Sequence, residues 1–296
     1  MRKLAILVNC TQRKSVRATP HLSAGTLPQG TVAARAAEWI SRVQGADSER
    51  SLIDLYNGEA WAQAKLLLND ALQAGFAAQL FVASAGLGLR SVNTKAPSYA
   101  ATFSPNQLDS VATSLDDSKE WWGLMQETDE TAAADNFRDS AVLAVMSESY
   151  ARVLHDELRA LSGSAGEMLI VGGARLDVGC PRVPADRALR TAMGGTVSSL
   201  NLRTARRWMS TRTSPSLFSD ADYAKWQTWA HGVRQVETYD RQQLDDAQVR
   251  AFAMKLIHSS PGGSATQALR ELRTSGFACE QKRFHRIYAQ LVRETT

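Results

Sequence analysis

Asn9-Cys10-Thr11-Gln12-Arg13-Lys14 follows directly on the apolar run Leu4-Ala5-Ile6-Leu7-Val8. An amide, a thiol, hydroxyl and amide neighbours and two cations therefore stand at the end of a segment that reads as a buried parallel strand. In open α/β sheets, ligands bind outside the carboxyl ends of the strands, which makes this hexapeptide the first candidate for an active site. The competing reading is a strand that runs into a solvated basic turn. Other strand candidates end in Asp54-Leu55-Tyr56-Asn57-Gly58-Glu59, in Ser84-Ala85-Gly86-Leu87-Gly88-Leu89, in Ser147-Glu148-Ser149 and in Gly172-Gly173-Ala174-Arg175. On one sheet edge these would enclose a crevice with the carboxylates Asp54 and Glu59, the phenol Tyr56, small residues that admit close backbone approach, and the cations Lys14 and Arg175. Such a set suits cleavage or transfer at a sugar or phosphate centre. Gly86 to Gly88 lacks the third glycine of a dinucleotide fingerprint and the lysine of a P-loop, so it implies no nucleotide cofactor.

The elements that must position these groups alternate. Strands are predicted at Leu4 to Val8, Ser51 to Leu55, Gln79 to Ser84, Ala141 to Met146 and Met168 to Val171, with a possible sixth at Thr196 to Leu200. Helices are predicted at Val32 to Val43, Gly58 to Ala74, Glu148 to Leu161 and Asn201 to Met209. This is the pattern of a mostly parallel sheet in a three-layer α/β/α core. From Asp220 onward the pattern is helical, over Asp220 to Val233, Asp245 to Ile257, Gly263 to Thr274 and Glu280 to Arg293. A Thr, Ser and Pro cluster at Arg212 to Ser219 marks the expected boundary between a catalytic domain, 1–212, and a helical unit, 213–296.

The 296 residues are enough for one sizeable core and a smaller appended unit. No apolar run is long enough for a membrane span or a signal segment, so a cytoplasmic protein is expected. Cys10, Cys180 and Cys279 lie far apart and without metal-ligand spacing, and the five histidines have none either, so no metal is expected. The formal net charge of +4 hides a segregation: Asp109 to Arg138 holds eight acids and two bases, whereas Arg182 to Arg212 holds seven arginines and one acid. Guanidinium forks suit phosphate, so Arg203, Arg206 and Arg207 are expected to bind a polyanion; the alternative is a solvated helix face. Trp121-Trp122 reads as core filling, with a base-stacking platform as the sharper alternative.

Three motifs in order carry a resemblance: Asn9-Cys10-Thr11-Gln12-Arg13-Lys14; Asp54-Leu55-Tyr56 with Glu59; and Ala83 through Leu89 followed by Pro97-Ser98-Tyr99. They resemble a set of bacterial and phage proteins in which a C-x-x-R-K strand motif precedes a Leu-Tyr element and an S-A-x-x-G-L then P-x-Y element. The implied fold resembles the uracil-DNA glycosylase-like superfamily, which also occurs as a domain of archaeosine-tRNA enzymes, and the resemblance covers residues 1 to 180. The chain departs from that superfamily in lacking its G-Q-D-P-Y and H-P-S type loops, which leaves the usual water-activating aspartate and late histidine without counterparts. The functional expectation closest to this organisation is an anti-phage DNA glycosylase that excises glucosylated hydroxymethylcytosine.

The appended unit reads independently as helix, glycine-containing turn, helix, the outline of a helix-turn-helix. Its last helix offers Lys282, Arg283, Arg286 and Arg293, with Tyr288 interleaved, for phosphate contacts. Together these readings give a DNA N-glycosylase that needs no cofactor. A base flipped from the duplex would enter the crevice, with Asp54 or Glu59 supporting the sugar cation, Asn9 reading the base, and Lys14 and Tyr56 on the leaving group or a phosphate. Cys10, Ser84, Gly86, Tyr99 and Arg175 would line the pocket. The alternatives are a nucleoside deoxyribosyltransferase-like enzyme and a non-enzymatic DNA-binding protein.

Overall fold

The computed structural model describes residues 1–128, 137–173, 177–236, 240–259 and 262–295. The chain forms two compact units, Met1–Gln235 and Val236–Thr296.

In the first unit, β1 (Arg2–Asn9) leads through α1 (Val32–Gln44), the short β2 (Arg50–Ser51), α2 (Leu52–Leu55) and α3 (Glu59–Gln73) to β3 (Phe76–Ser84). β4 (Gly88–Ser91), β5 (Lys95–Ala96) and α4 (Leu115–Gln126) precede β6 (Ala141–Met146). Then follow α5 (Glu148–Val153), α6 (His155–Ser164), β7 (Glu167–Gly172), β8 (Arg182–Val183), α7 (Arg190–Met193), α8 (Leu200–Thr211) and α9 (Asp220–Val233).

Six strands form one sheet in the order β4-β3-β1-β6-β7-β8, and all neighbours are parallel except β3 and β4. Every residue of β6 is buried, as expected for a central strand covered on both faces. One set of helices, α3 and α8, packs together and against β3, β6 and β7; another, α1, α4, α5 and α6, packs as a chain against β4 and β7. The expected α/β/α core is therefore present. β1 is followed by its neighbour β3 on one side, and β6 by β7 on the other. The connections diverge between β1 and β6, the kind of switch point beside which open α/β sheets bind ligands.

Three sequence expectations are corrected. Ser51 to Leu55 is not a strand beyond Ser51 but a single helical turn, because Leu52 and Leu55 are buried at helical i, i+3 spacing and the Ser51 hydroxyl bonds the Asp54 carboxylate at 2.8 Å. Thr196 to Leu200 is no sixth strand: Val197–Ser199 is a 3₁₀ turn that feeds α8, held by Glu59 of α3. Gly195, at φ +74°, runs so close to Glu59 and Arg203 that a Cβ there would collide with both.

The unit boundary falls at Gln235 rather than Arg212. The segment 212–219 is a strap, with its backbone bound to the core. Buried Asp222 accepts from the amides of Thr213 and Ser214, each at 3.0 Å, and from the hydroxyls of Thr213 and Ser219, each at 2.8 Å. The Trp208 indole donates to the Leu217 carbonyl at 2.9 Å, and Trp226 of α9 packs edge-on against Trp208. Pro, Ser and Thr mark irregular backbone, and irregular backbone with this many partners is structure rather than linker.

The second unit contains α10 (Asp246–Ser259), α11 (Ala265–Thr274) and α12 (Gln281–Thr295), with β9 (Gln242–Gln243) and β10 (Phe277–Ala278) paired in parallel. Val249, Leu269, Leu272, Phe284 and Leu291 are among the residues of its own core. Gly276 at φ +83° ends α11. Among the described residues no helix is long and apolar enough to cross a membrane.

Candidate active site

The carboxyl ends of β1, β3 and β6 converge on a closed polar network. Cys10 continues β1, and its thiol lies 3.1 Å from the Tyr150 hydroxyl at the start of α5. The hydroxyls of Tyr56 and Tyr99 meet at 2.5 Å, and Tyr99 also meets the Ser84 hydroxyl at the end of β3. Ser84 accepts in turn from the Gly86 amide at 3.1 Å. All five of these side chains are buried. Burial first, then the neighbouring Cys10 or a partner phenol, pushes the Tyr56, Tyr99 and Tyr150 hydroxyls above the ordinary phenol range. At neutral pH they are protonated donors rather than bases.

Lys14 covers this network. Its ammonium sits 4.2 Å from the centre of the Tyr99 ring and 5.4 Å from that of Tyr56, and an isolated bridge pairs the Lys14 and Tyr56 backbones. Burial holds its pKa below the usual lysine value, with Cys10 and Asp109 acting in the opposite direction. The two aromatic faces favour the cation, so the site balances an ammonium against an amine. Above it opens a cleft of about 760 Å³, lined by Arg13, Lys14, Arg17, Ser23, Ser98 and Tyr99 among others. Two tryptophans, one from each of α1 and α4, hold the loop beneath: Trp39 donates to the Gly86 carbonyl at 2.8 Å and Trp121 to that of Ala85 at 2.6 Å. Trp121 and Trp122 are both buried, so the core reading of that pair holds and the stacking-platform alternative does not.

Of the expected site residues, Cys10, Lys14, Tyr56, Ser84, Gly86 and Tyr99 come together. Asn9 stands beside them in a different role from base reading: its Oδ1 accepts from the Ser147 amide at 3.0 Å and its Nδ2 donates to the Cys10 carbonyl at 3.2 Å, so it ties β1 to the loop after β6. The two carboxylates are corrected. Asp54 is exposed and bound to its own turn through Ser51. Glu59 faces α8 and the turn before it, accepting from the Thr196 amide at 3.1 Å, the Ser199 hydroxyl at 2.8 Å and Arg203 of α8 at 2.8 Å. Burial would raise the Glu59 pKa, but these bonds outweigh it and hold the group at about 2. Arg175 lies outside the described residues.

The arginines of α8 are corrected with Glu59. Arg203 pairs with it, Arg206 pairs with Asp70 at 2.6 Å and donates to Gln63 at 2.8 Å, and the Arg207 guanidinium stacks 3.6 Å from the centre of the Trp229 ring. Their partners lie on α3 and α9 of the same unit, so the basic run holds helices together. A double-mutant cycle on Glu59→Gln and Arg203→Gln is expected to give a coupling of about 1 kcal/mol at neutral pH, discounted because the Glu59 side chain is 32% exposed. The folded pKa is depressed, so this stability is present above the unfolded carboxyl value of about 4.3 and is lost as the pH falls toward the folded value. Urea melts of the four proteins at neutral and acidic pH read both quantities.

In the second unit, Arg283 pairs with Asp246 at 2.6 Å and the buried Tyr288 donates to the Gly263 carbonyl at 2.8 Å, so both serve that unit's own packing. Lys282, Arg286 and Arg293 are exposed, and their i, i+4, i+11 spacing puts them on one face of α12. The connection from α11 to α12 carries β10 and is longer than the usual three- or four-residue helix-turn-helix link.

Sequence reasoning missed Tyr150 and Asp109. Tyr150 stands one residue beyond the strand end Ser147-Glu148-Ser149, and the start of α5 after β6 is its signal. Asp109 bonds the Ser23 hydroxyl beside the cleft and acts electrostatically on Lys14, although it lies ten residues after Tyr99 in irregular chain that had no pattern to reveal it. No protein-family model, curated protein or solved structure matches the chain.

Proposed function

We propose that this protein is a DNA N-glycosylase that receives a flipped nucleotide in the cleft beside Lys14 and Tyr99, formed by the chain that follows β1. The observation that carries this reading is the joining of a cationic cleft to a buried donor floor at the sheet's switch point. At about 760 Å³ the cleft is within the ~300–1,000 Å³ typical of small-ligand pockets. Arg13 and Arg17 on its wall suit the flanking phosphates. The protonated phenol of Tyr99, relayed to Tyr56 and Ser84, suits a departing base that gains negative charge. Asn9 positions the floor by joining β1 to the β6 loop. The motif resemblance to uracil-DNA glycosylase-like proteins supports the same reading. Asp54 and Glu59 have no part in it, because their carboxylates are engaged elsewhere.

The exposed face of α12 supports a polymer substrate. Lys282, Arg286 and Arg293 lie along one side of a 15-residue helix, a spacing that can follow a phosphate backbone. Incubation with unmodified, uracil-containing and glucosyl-hydroxymethylcytosine duplexes, and in parallel with free nucleosides, tests the function by base release and abasic-site cleavage. Release from DNA is expected, with the glucosylated base as the leading substrate in an anti-phage setting. Release from free nucleosides alone would replace this reading with a deoxyribosyltransferase-like enzyme. Replacing Lys282, Arg286 and Arg293 by alanine is expected to weaken binding to all duplexes alike and to flatten the salt dependence by about 0.9 log units per log unit of salt for each lost phosphate contact. An unchanged slope would remove α12 from the DNA interface.

A further inference from the structure

The described residues that line the cleft include the amine of Lys14 and no carboxylate, the nearest being Asp109, which is bonded to Ser23 behind the wall. A glycosylase that activates water directly needs a negative group to stabilise the sugar cation, and the carboxylates expected to supply it, Asp54 and Glu59, are bound elsewhere. The wall of the cleft offers instead the amine of Lys14, placed over the Tyr99 and Tyr56 rings and beside Cys10. We propose that Lys14 is a covalent catalyst, its amine attacking C1′ of the bound deoxynucleotide and displacing the base. This inference rests on the N-glycosylase reading and assigns its reacting group.

The geometry suits an amine. Among the described residues, the Nζ atom has one weak protein acceptor, the Thr11 carbonyl at 3.4 Å, and lies over the Tyr99 and Tyr56 rings. Burial favours the uncharged form, against the opposing influence of Cys10 and Asp109. In the reaction the amine lone pair forms the Nζ–C1′ bond as the C1′–base bond breaks. The base leaves with that electron pair and takes up the proton lost by the nitrogen. The remaining Nζ proton then passes to O4′ as the C1′–O4′ bond opens, which gives an imine between Lys14 and C1′. Water adds to the imine carbon and expels the amine, so one water is consumed, the base departs as its neutral form and an abasic aldehyde remains. No oxidant or reductant is needed.

Borohydride reduces an imine to a stable amine, so trapping tests the proposal directly. The full chain would be mixed with borohydride and an oligonucleotide that already carries an abasic site, which removes any dependence on which base is excised. In parallel it would be mixed with the base-bearing duplexes described above. A protein–DNA adduct that maps to Lys14 by peptide mass is expected on abasic DNA, and it should be lost in Lys14→Ala and in Lys14→Arg, which keeps the cation but forms no imine. Thermal melts of both variants show that they are folded. Two outcomes overturn the proposal: no adduct with abasic DNA, or an adduct that maps to another amine such as that of Met1. Base release by the native chain without an adduct would overturn the lysine route and leave the glycosylase reading standing. A Lys14 adduct without base release from any duplex would support the amine chemistry and reject the glycosylase reading.

Discussion

Replacing Asp222 by alanine is expected to destabilise the 1–235 unit by about 3–5 kcal/mol. The carboxylate is 4% exposed and receives two backbone amides and two hydroxyls from the 213–219 strap. Alanine would leave those donors without their acceptor in a site that excludes water, and each unsatisfied buried group costs about 1–3 kcal/mol. Asn at the same position keeps the shape and one acceptor oxygen, so a smaller loss is expected. The effect is also pH-dependent. Burial would raise the Asp222 pKa, but the Ser214 and Thr213 amides and the Thr213 and Ser219 hydroxyls outweigh it and hold the group well below the ordinary carboxylate range. A depressed folded pKa contributes stability above the unfolded value of about 3.9 and loses it as the pH falls through the folded value. Denaturant melts at neutral and acidic pH should therefore show native and Asp222→Asn proteins converging in acid. A loss below about 1 kcal/mol in Asp222→Ala at neutral pH would mean that the aromatic contacts of Trp208 and Trp226 hold the strap without the carboxylate.

Gly86→Ala is expected to cost about 1–3 kcal/mol of stability and about a hundredfold in base release. A Cβ at Gly86 would lie 2.6 and 2.7 Å from two carbons of the Tyr99 ring and 3.1 Å from Trp39. Neither ring can simply retreat. Trp39 is fixed to the Gly86 carbonyl, and the Tyr99 hydroxyl is fixed between Tyr56 and Ser84. The methyl must therefore displace Tyr99, and with it the surface on which Lys14 rests. Tyr99→Phe provides the comparison, since it removes only the hydroxyl and leaves the ring under Lys14. Thermal melts and base-release rates of the two variants separate packing from chemistry. Full activity in a folded Gly86→Ala protein would show that Tyr99 is not at the reaction centre.

The fold class was legible in sequence because it rests on local pattern, and so was part of the candidate site's residue set. The apolar runs Leu4 to Val8 and Ala141 to Met146, broken by long helical segments, require a buried parallel sheet, and a parallel sheet puts all its strand ends on one edge. The meeting of Cys10 with Ser84 and Gly86 follows from that rule; Lys14, Tyr56 and Tyr99 reach the same place through irregular chain that the rule does not govern. Charge could not be read in the same way. Glu59, Arg203 and Arg206 look like surface groups in a list of residues, yet they sit 136 to 144 positions from their partners and are spent on joining α3 to α8. The Arg212 to Ser219 cluster reads as a boundary in sequence, and only packing shows that it is a strap bound to Asp222. Ser51 to Leu55, expected as a strand, is a helical turn over Leu52–Leu55, because four residues carry too little periodicity to separate the two. Sequence thus determined which segments must be buried and, through the sheet, which ends must meet. Tertiary structure alone decided which ionisable side chains remain available for chemistry, because an ion pair or hydrogen bond depends on the proximity of residues that no local pattern relates.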